Sequence, residues 1–197
     1  MKFNDSLSHS WRDVTGRHRA AQELDRRART DDLTKLLNRK EVLERIERLA
    51  TQTVRTGTGL AILFCDFDKF KEINDVYGHT AGDEVLRVMA DRIRGCLRTT
   101  DDLAARIGGD EMLVVLHGVH NLDNAANVAE KLRVSAMEPI PIPGGEVNTT
   151  LSIGVTLAIP GETIDALVAR ADAAMYEAKK TRRNRVMALS AGKPNAL

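Results

Sequence analysis

The stretch Leu103-Ala104-Ala105-Arg106-Ile107-Gly108-Gly109-Asp110-Glu111-Met112-Leu113-Val114-Val115-Leu116 decides how this chain is read. Two short apolar runs, Leu103 to Ile107 and Met112 to Leu116, flank a glycine pair, the pattern of two strands joined by a tight turn. Asp110 and Glu111 place two carboxylates on that turn. Earlier in the chain a second pair, Asp66 and Asp68, ends another apolar run, Leu60-Ala61-Ile62-Leu63-Phe64-Cys65. Two acidic strand ends in one domain point to a site for divalent metal and phosphate.

Working outward, Leu60 to Asp66 is predicted as a strand covered on both faces, and Ala104 to Leu116 as the hairpin. Apolar residues at helical spacing predict helices over Asn38 to Ala50, Ala81 to Leu97, Leu122 to Met137 and Ile164 to Lys180. Pro139, Pro141, Pro143 and Gly144-Gly145 read as a loop, and Val147 to Ile159 as one long strand. The order strand–helix–strand–strand–helix–strand predicts an α+β fold: a central, mostly antiparallel sheet flanked by helices, of the ferredoxin-like or polymerase-palm kind. Residues 30–186 are expected to form this domain and 187–197 a C-terminal tail. Residues 1–29 are polar and charged. Arg12 to Arg29 reads as a helix with a thin stripe of Ala20, Ala21, Leu24 and Ala28, either a linker that meets a partner helix or a solvated helix preceding the domain.

Composition narrows the function. The chain has 197 residues, 43% of them hydrophobic, so a core of ordinary size is expected. A net charge of +1 argues against a general nucleic-acid binder, and 4% aromatic residues are too few for a base-stacking platform. Cys65 and Cys96 lack metal spacing, and Cys65 reads as a buried thiol in a reducing cytoplasm. No window approaches membrane-spanning length.

Asp66 and Asp68, two apart, are expected on one strand face toward one metal, with Lys71 neutralising phosphate; a surface turn after the strand is the plainer alternative. In Asn74-Asp75-Val76-Tyr77-Gly78-His79-Thr80-Ala81-Gly82-Asp83, an amide and a carboxylate offer the groups that read a guanine edge. Asp83 as a helix N-cap is the alternative, with His79 structural. Gly108-Gly109 lets backbone approach phosphate without a Cβ. Lys179 and Arg183, at the end of the last helix, offer triphosphate contacts or simply complement the helix dipole.

With these residues in place, the chain from Thr30 to Asn184 resembles the GGDEF domains, the diguanylate cyclase family of bacterial signalling. Six segments carry the likeness: Asp31-Asp32-Leu33-Thr34-Lys35-Leu36-Leu37-Asn38-Arg39, Asp66 to Asp75, Tyr77 to Asp83, Arg106 to Met112, Ser152-Ile153-Gly154-Val155, and Ala171 to Asn184. The resemblance implies condensation of two GTP into cyclic di-GMP with release of two pyrophosphates, by a symmetric homodimer that uses Mg2+ or Mn2+. It implies metal ligation by Asp66, the Phe67 carbonyl and Asp110, with Glu111 close by and Asp110 as base on the ribose 3′-hydroxyl. Guanine falls to Asn74 and Asp83, His79 lies along the nucleotide, and Lys71, Lys179, Arg183 and the amides near Lys69-Phe70 hold phosphate. Trp11 to Ala20 resembles the exit of a PAS sensor domain and its signalling helix, which implies an upstream sensor as partner.

Four departures stand out. Met112 replaces a usual Phe and is expected to pack inward. Lys35 and Arg182 replace usual glycines and are expected to strain or recharge loops near the phosphates. The family's product-inhibition motif R-x-x-D is spelled by Arg98-Thr99-Thr100-Asp101 one residue too far upstream; in strict register the pair is Thr99 and Asp102. Arg98, Asp101 and Asp102 are therefore the candidates for an inhibitory site, with an ordinary helix-exit turn as the alternative. Two other functions compete: a catalytically silent module that binds GTP or cyclic di-GMP and regulates a partner, and a cyclase making a different cyclic dinucleotide, against which Asp83 counts.

Overall fold

The computed structural model describes residues 29–98, 101–190 and 193–196. Its elements are β1 (Leu37–Asn38), α1 (Arg39–Thr56), β2 (Leu60–Phe67), α2 (Phe70–Tyr77), α3 (His79–Cys96), β3 (Leu103–Gly108), β4 (Glu111–His117), α4 (Leu122–Ala136), β5 (Ile140–Ile142), β6 (Gly145–Val147), β7 (Leu151–Leu157), α5 (Ile164–Thr181), β8 (Arg185–Ser190) and β9 (Lys193–Ala196). Among the described residues the main sheet has the order β1-β3-β4-β2-β7-β8-β9. Only the β1–β3 and β7–β8 pairs are parallel, so the fold is α+β with a mostly antiparallel, palm-like sheet.

β2 lies at the centre, antiparallel to β4 on one side and β7 on the other. All eight of its residues are buried, because helices cover both faces. Alternation sends Ala61, Leu63, Cys65 and Phe67 to the face packed by Val85 and Met89 of α3 and Ala125 and Ala129 of α4. Leu60, Ile62 and Phe64 turn to the opposite face, against Val42 and Ile46 of α1 and Leu167, Ala171 and Met175 of α5. Burying each of these large side chains contributes about 1.5–3 kcal/mol. Met112 is fully buried in the first cluster, as the apolar pattern predicts. Cys65 is also fully buried, which pushes its thiol up to about 12 and leaves it protonated.

Side-chain caps start three of the helices. Asn38 accepts from Glu41 N at 2.9 Å, Asn121 from Asn124 N at 2.8 Å and Thr163 from Ala166 N at 3.2 Å. Gly154 lets α5 lie directly on β7: a Cβ there would overlap Ala171 O and Met175 N.

Several expectations are corrected. Val147 to Ile159 is not one strand: β6 ends at Val147 and β7 begins at Leu151. The proline-rich loop contains a small hairpin, β5–β6, in a separate sheet. The chain after 186 does not leave the fold, since Met187 and Ala188 are buried in β8 beside β7. The helix expected over Arg12 to Arg29 and the PAS-like exit lie in or run into residues 1–28, outside the described residues. No helix of the described residues is long and apolar enough to cross a membrane.

Candidate functional site

The β2–β4 register sets Asp66 directly across from Glu111, and like charges placed opposite each other on neighbouring strands repel. Asp66 is 5% exposed. Its Oδ2 receives Lys179 Nζ at 2.6 Å, while Oδ1 is buried without a hydrogen-bond partner. Burial pushes the Asp66 carboxyl up to about 6; Lys179 opposes the rise, and Asp110 and Glu111 add to it. Glu111 is also raised, by burial and then by Asp172 and Asp110. The fold therefore brings Asp66, Asp110, Glu111 and Lys179 into mutual influence at one end of the central strands, where the Gly109 turn (φ 51°) closes the β3–β4 hairpin.

An orphaned buried carboxylate oxygen beside two further carboxylates suits a divalent cation. Among the described residues no three acidic or His/Cys side chains already form a metal cluster. A Mg2+ site takes one or two protein carboxylates and completes its shell with water and substrate phosphates. The Phe67 carbonyl lies next along the strand. Asp68 does not join them, contrary to the two-residue alternation. The strand ends at Phe67, and the Asp68 carboxylate accepts instead from Thr150 Oγ1 at 2.6 Å, Ser152 Oγ at 2.7 Å and Asn184 N at 2.9 Å.

Asn74 of α2 packs against Gly82 of α3, the residue before Asp83. A Cβ on Gly82 would overlap Asn74 Oδ1, so glycine is what admits that side chain against α3. Asp83 follows Gly82, in the second turn of a helix that starts at His79 after Gly78. It is therefore not the N-cap, which removes the alternative reading. His79 is exposed at the start of α3. Phe70 packs inward, its ring 6.2 Å from that of Phe67, so any ligand contact from it comes through the backbone. No side chain caps α2, whose N-cap Lys69 sits in the left-handed region (φ 61°). That leaves N–H groups of its first turn open to an anion. Lys71 is exposed on that turn, and Arg183 is exposed on the loop after α5.

The left-handed positions sharpen the departures. Lys35 has φ 57°, a conformation natural to the glycine it replaces. Arg182 has φ −164°, which any residue adopts, so the strain falls instead on Arg183 (φ 56°) and Asn184 (φ 45°). Arg106 donates to Gly109 O and to Asp31. Burial alone would raise the Asp31 carboxyl, but Thr34 and Arg106 hold it below its ordinary value. The opening segment and the hairpin turn are thereby tied together.

Arg98 and Asp102 are bonded to each other. Arg98 Nη2 reaches Asp102 Oδ1 at 2.7 Å, Nε reaches Oδ2 at 3.0 Å, and His117 N donates to Oδ1 at 3.3 Å. The Asp102 side chain is 4% exposed, whereas Asp101 is exposed. Residues 99–100 lie outside the described set.

Asp172 was not singled out from sequence. It raises Glu111 and shares with it and Arg39 a cavity of about 300 Å3. The signal was present: Asp172 and Lys179 stand seven apart, on one face of α5. The larger groove, about 910 Å3, lies between the C-terminal half of α1 and the β7–α5 loop and holds none of the candidate residues.

Comparison with known proteins shows the family and the fold. Residues 28–185 match the family described as diguanylate cyclase, GGDEF domain. The chain is 42% identical over 172 residues to the bifunctional diguanylate cyclase/cyclic di-GMP phosphodiesterase MucR of Pseudomonas aeruginosa, covering 87% of this chain and 25% of that protein. It is 39% identical over 176 residues to the diguanylate cyclase DgcM of Escherichia coli, covering 89% and 42% respectively. The chain thus spans well under half the length of these relatives. Its fold is similar to the coiled coil and GGDEF domain of DgcB from Caulobacter crescentus, solved in complex with c-di-GMP, with a TM-score of 0.86, 30% identity, and 93% and 97% of the two chains covered. The chain belongs to the diguanylate cyclase GGDEF domain family.

Proposed function

We propose that this domain condenses two GTP molecules into cyclic di-GMP, releasing two pyrophosphates. The observation that carries the reading is the orphaned Asp66 Oδ1, buried across from Glu111 and close to Asp110, with Lys179 as countercharge. A Mg2+ or Mn2+ ion held by Asp66, Asp110 and the Phe67 carbonyl would satisfy that oxygen. Such an ion supplies charge neutralisation and a lowered pKa for the attacking hydroxyl.

The chain's own groups do the rest. Asn74 and Asp83 read the guanine edge, and Gly82 makes room for the first of them. The open N–H groups of α2, with Lys71, Lys179 and Arg183, hold the triphosphate. Among the described residues a Cβ at Gly108 would meet open space, which leaves room at the turn for phosphate. Asp110 accepts the proton of the 3′-hydroxyl, whose oxygen then attacks the α-phosphorus of the second GTP while its pyrophosphate leaves. Each protomer holds one GTP, so two sites must face each other across a two-fold axis. An upstream sensor sets that geometry, and the cytoplasm supplies GTP. The bonded Arg98–Asp102 pair favours the helix-exit turn over an inhibitory site, and product inhibition is weak.

The test is Asp110→Ala. Turnover of GTP with Mg2+ should fall by at least about a thousandfold, in keeping with the loss of a base and a charge at the reacting centre, while calorimetric GTP affinity stays within an order of magnitude. A variant that keeps its turnover removes Asp110 from the chemistry. ATP competing as well as GTP removes Asp83 from base recognition.

A further inference from the structure

Asp68 is a second buried carboxylate near the site. The residue is 4% exposed, and its carboxylate takes one hydroxyl from Thr150, one from Ser152 and the backbone N–H of Asn184. Its main chain is held as well: Asp68 N donates to Thr150 O at 2.9 Å, and Thr149 Oγ1 donates to Asp68 O at 3.2 Å. It stands immediately before Lys69, the left-handed N-cap of α2. At the other end of its bonds lies the turn after α5, where Arg183 and Asn184 are both left-handed. An L-residue in that region costs about 1–2 kcal/mol, so a consecutive pair persists only where neighbours over-determine it. The neighbours here are Asp68 on Asn184 N, Ala178 O accepting from Arg183 N at 3.0 Å, and Arg133 Nη1 donating to Asn184 Oδ1 at 2.6 Å.

We propose that Asp68 is a positioning residue for the triphosphate: one buried carboxylate fixes both the start of α2 and the Arg183 turn, so that the α2 amides and the Arg183 guanidinium close on the same phosphate chain. The inference rests on the function proposed above and deepens it. Asp68 never touches GTP or metal; it acts through Asn184 and Lys69.

The chemistry of the clamp separates two substitutions. In Asp68→Asn, the amide oxygen placed at the Oδ2 position still accepts from Thr150 and Asn184. The NH2 group then donates to Ser152 Oγ, which can rotate to accept. Asp68→Ala leaves all three donors unmet. Calorimetric GTP affinity with Mg2+, KM and kcat are measured for both, together with hydrogen exchange of the Asn184 amide. Loss of one charge-assisted contact corresponds to roughly a tenfold to hundredfold loss of affinity. Asp68→Ala should therefore weaken GTP binding and raise KM by about that factor, leave kcat within about threefold, and deprotect the Asn184 amide. Asp68→Asn should stay near wild type in every readout. In an Arg183→Ala background, Asp68→Ala should add little, since coupled residues are non-additive. Should Asp68→Ala fail to fold, Thr150→Val combined with Ser152→Ala loosens the same clamp, with the same signature in KM.

Equal losses in Asp68→Asn and Asp68→Ala with a raised Mg2+ requirement would make Asp68 a metal ligand and overturn the proposal. So would fully additive losses with Arg183→Ala. Wild-type protein that binds GTP no better than the Ala variant sinks the clamp alone; wild-type protein that does not bind GTP at all sinks the functional reading and the clamp with it.

Discussion

Replacing Asp66 by Asn should stabilise the metal-free protein while abolishing its turnover. Burial, then Asp110 and Glu111, raise the Asp66 carboxyl from 3.8 to about 6, even with Lys179 pulling the other way. At about 1.36 kcal/mol per tenfold change in proton affinity, holding this group charged at neutral pH costs the fold about 3 kcal/mol relative to its protonated form. Asn carries no charge to desolvate and still offers Lys179 an acceptor, so most of that cost is removed. For a domain of this size, each kcal/mol moves the melting temperature by about 2–4 °C, which gives a gain of roughly 6–12 °C at pH 7. The sign follows from linkage. A folded-state pKa above the unfolded one gives stability that is complete below 3.8 and lost as pH rises through about 6, so the advantage of the variant should shrink toward zero near pH 4. Thermal unfolding followed by circular dichroism at pH 7 and pH 4, without divalent metal and then with millimolar Mg2+, makes the check. Mg2+ should raise the wild-type melting temperature and leave that of the variant nearly unchanged. A variant less stable than wild type at pH 7, or a gain that persists at pH 4, would refute the reasoning.

Further outcomes follow from single contacts. Asp102→Ala leaves the Arg98 guanidinium and His117 N–H without their carboxylate and should cost about 1–3 kcal/mol in chemical denaturation. Cyclic di-GMP added at micromolar concentration should leave the initial rate of the wild-type domain unchanged, whereas strong inhibition would show that the Arg98–Asp102 bond opens. Gly154→Ala drives a methyl into the backbone of α5 and should destabilise by about 3 kcal/mol, read as a lower denaturation midpoint. Lys35→Gly relieves a left-handed lysine; strain relief less the added chain entropy should yield roughly 0.5–1 kcal/mol.

Much of the fold could be read from hydrophobic period. Three of the four helices with wide apolar stripes emerge within two residues of their expected bounds, the first runs six residues past its expected end at Ala50, and β2 and the β3–β4 hairpin stand where continuous apolar runs flank acids. Short or weakly patterned elements did not show. α2 buries only Ile73, too little for a period, and β8 has six residues whose burial depends on lying beside β7. The run 147–159 is rich in β-branched residues and so looks continuous. Yet Thr149 and Thr150 leave the sheet pattern to donate to Asp68, a long-range demand that local propensity cannot express.

The candidate site shows the same division. Which residues carry charge at strand ends was legible; which way each points was not. Alternation put Asp66 and Asp68 on one face, but the strand stops between them, so the first meets Lys179 while the second meets hydroxyls and a backbone amide. Asp83 looked like a cap until α3 proved to begin at His79. Arg98 and Asp101 spell the inhibitory motif one residue out of register, and the structure bonds Arg98 to Asp102, the in-register aspartate, instead.

Chromatography of the products reads out cyclisation of two GTP across a dimer. Purified protein is incubated with GTP and Mg2+ over a wide range of protein concentration. Cyclic di-GMP and pyrophosphate should form at a rate that rises more steeply than linearly at low protein concentration. Bound but unreacted GTP at every concentration would contradict it and leave a silent nucleotide-binding module.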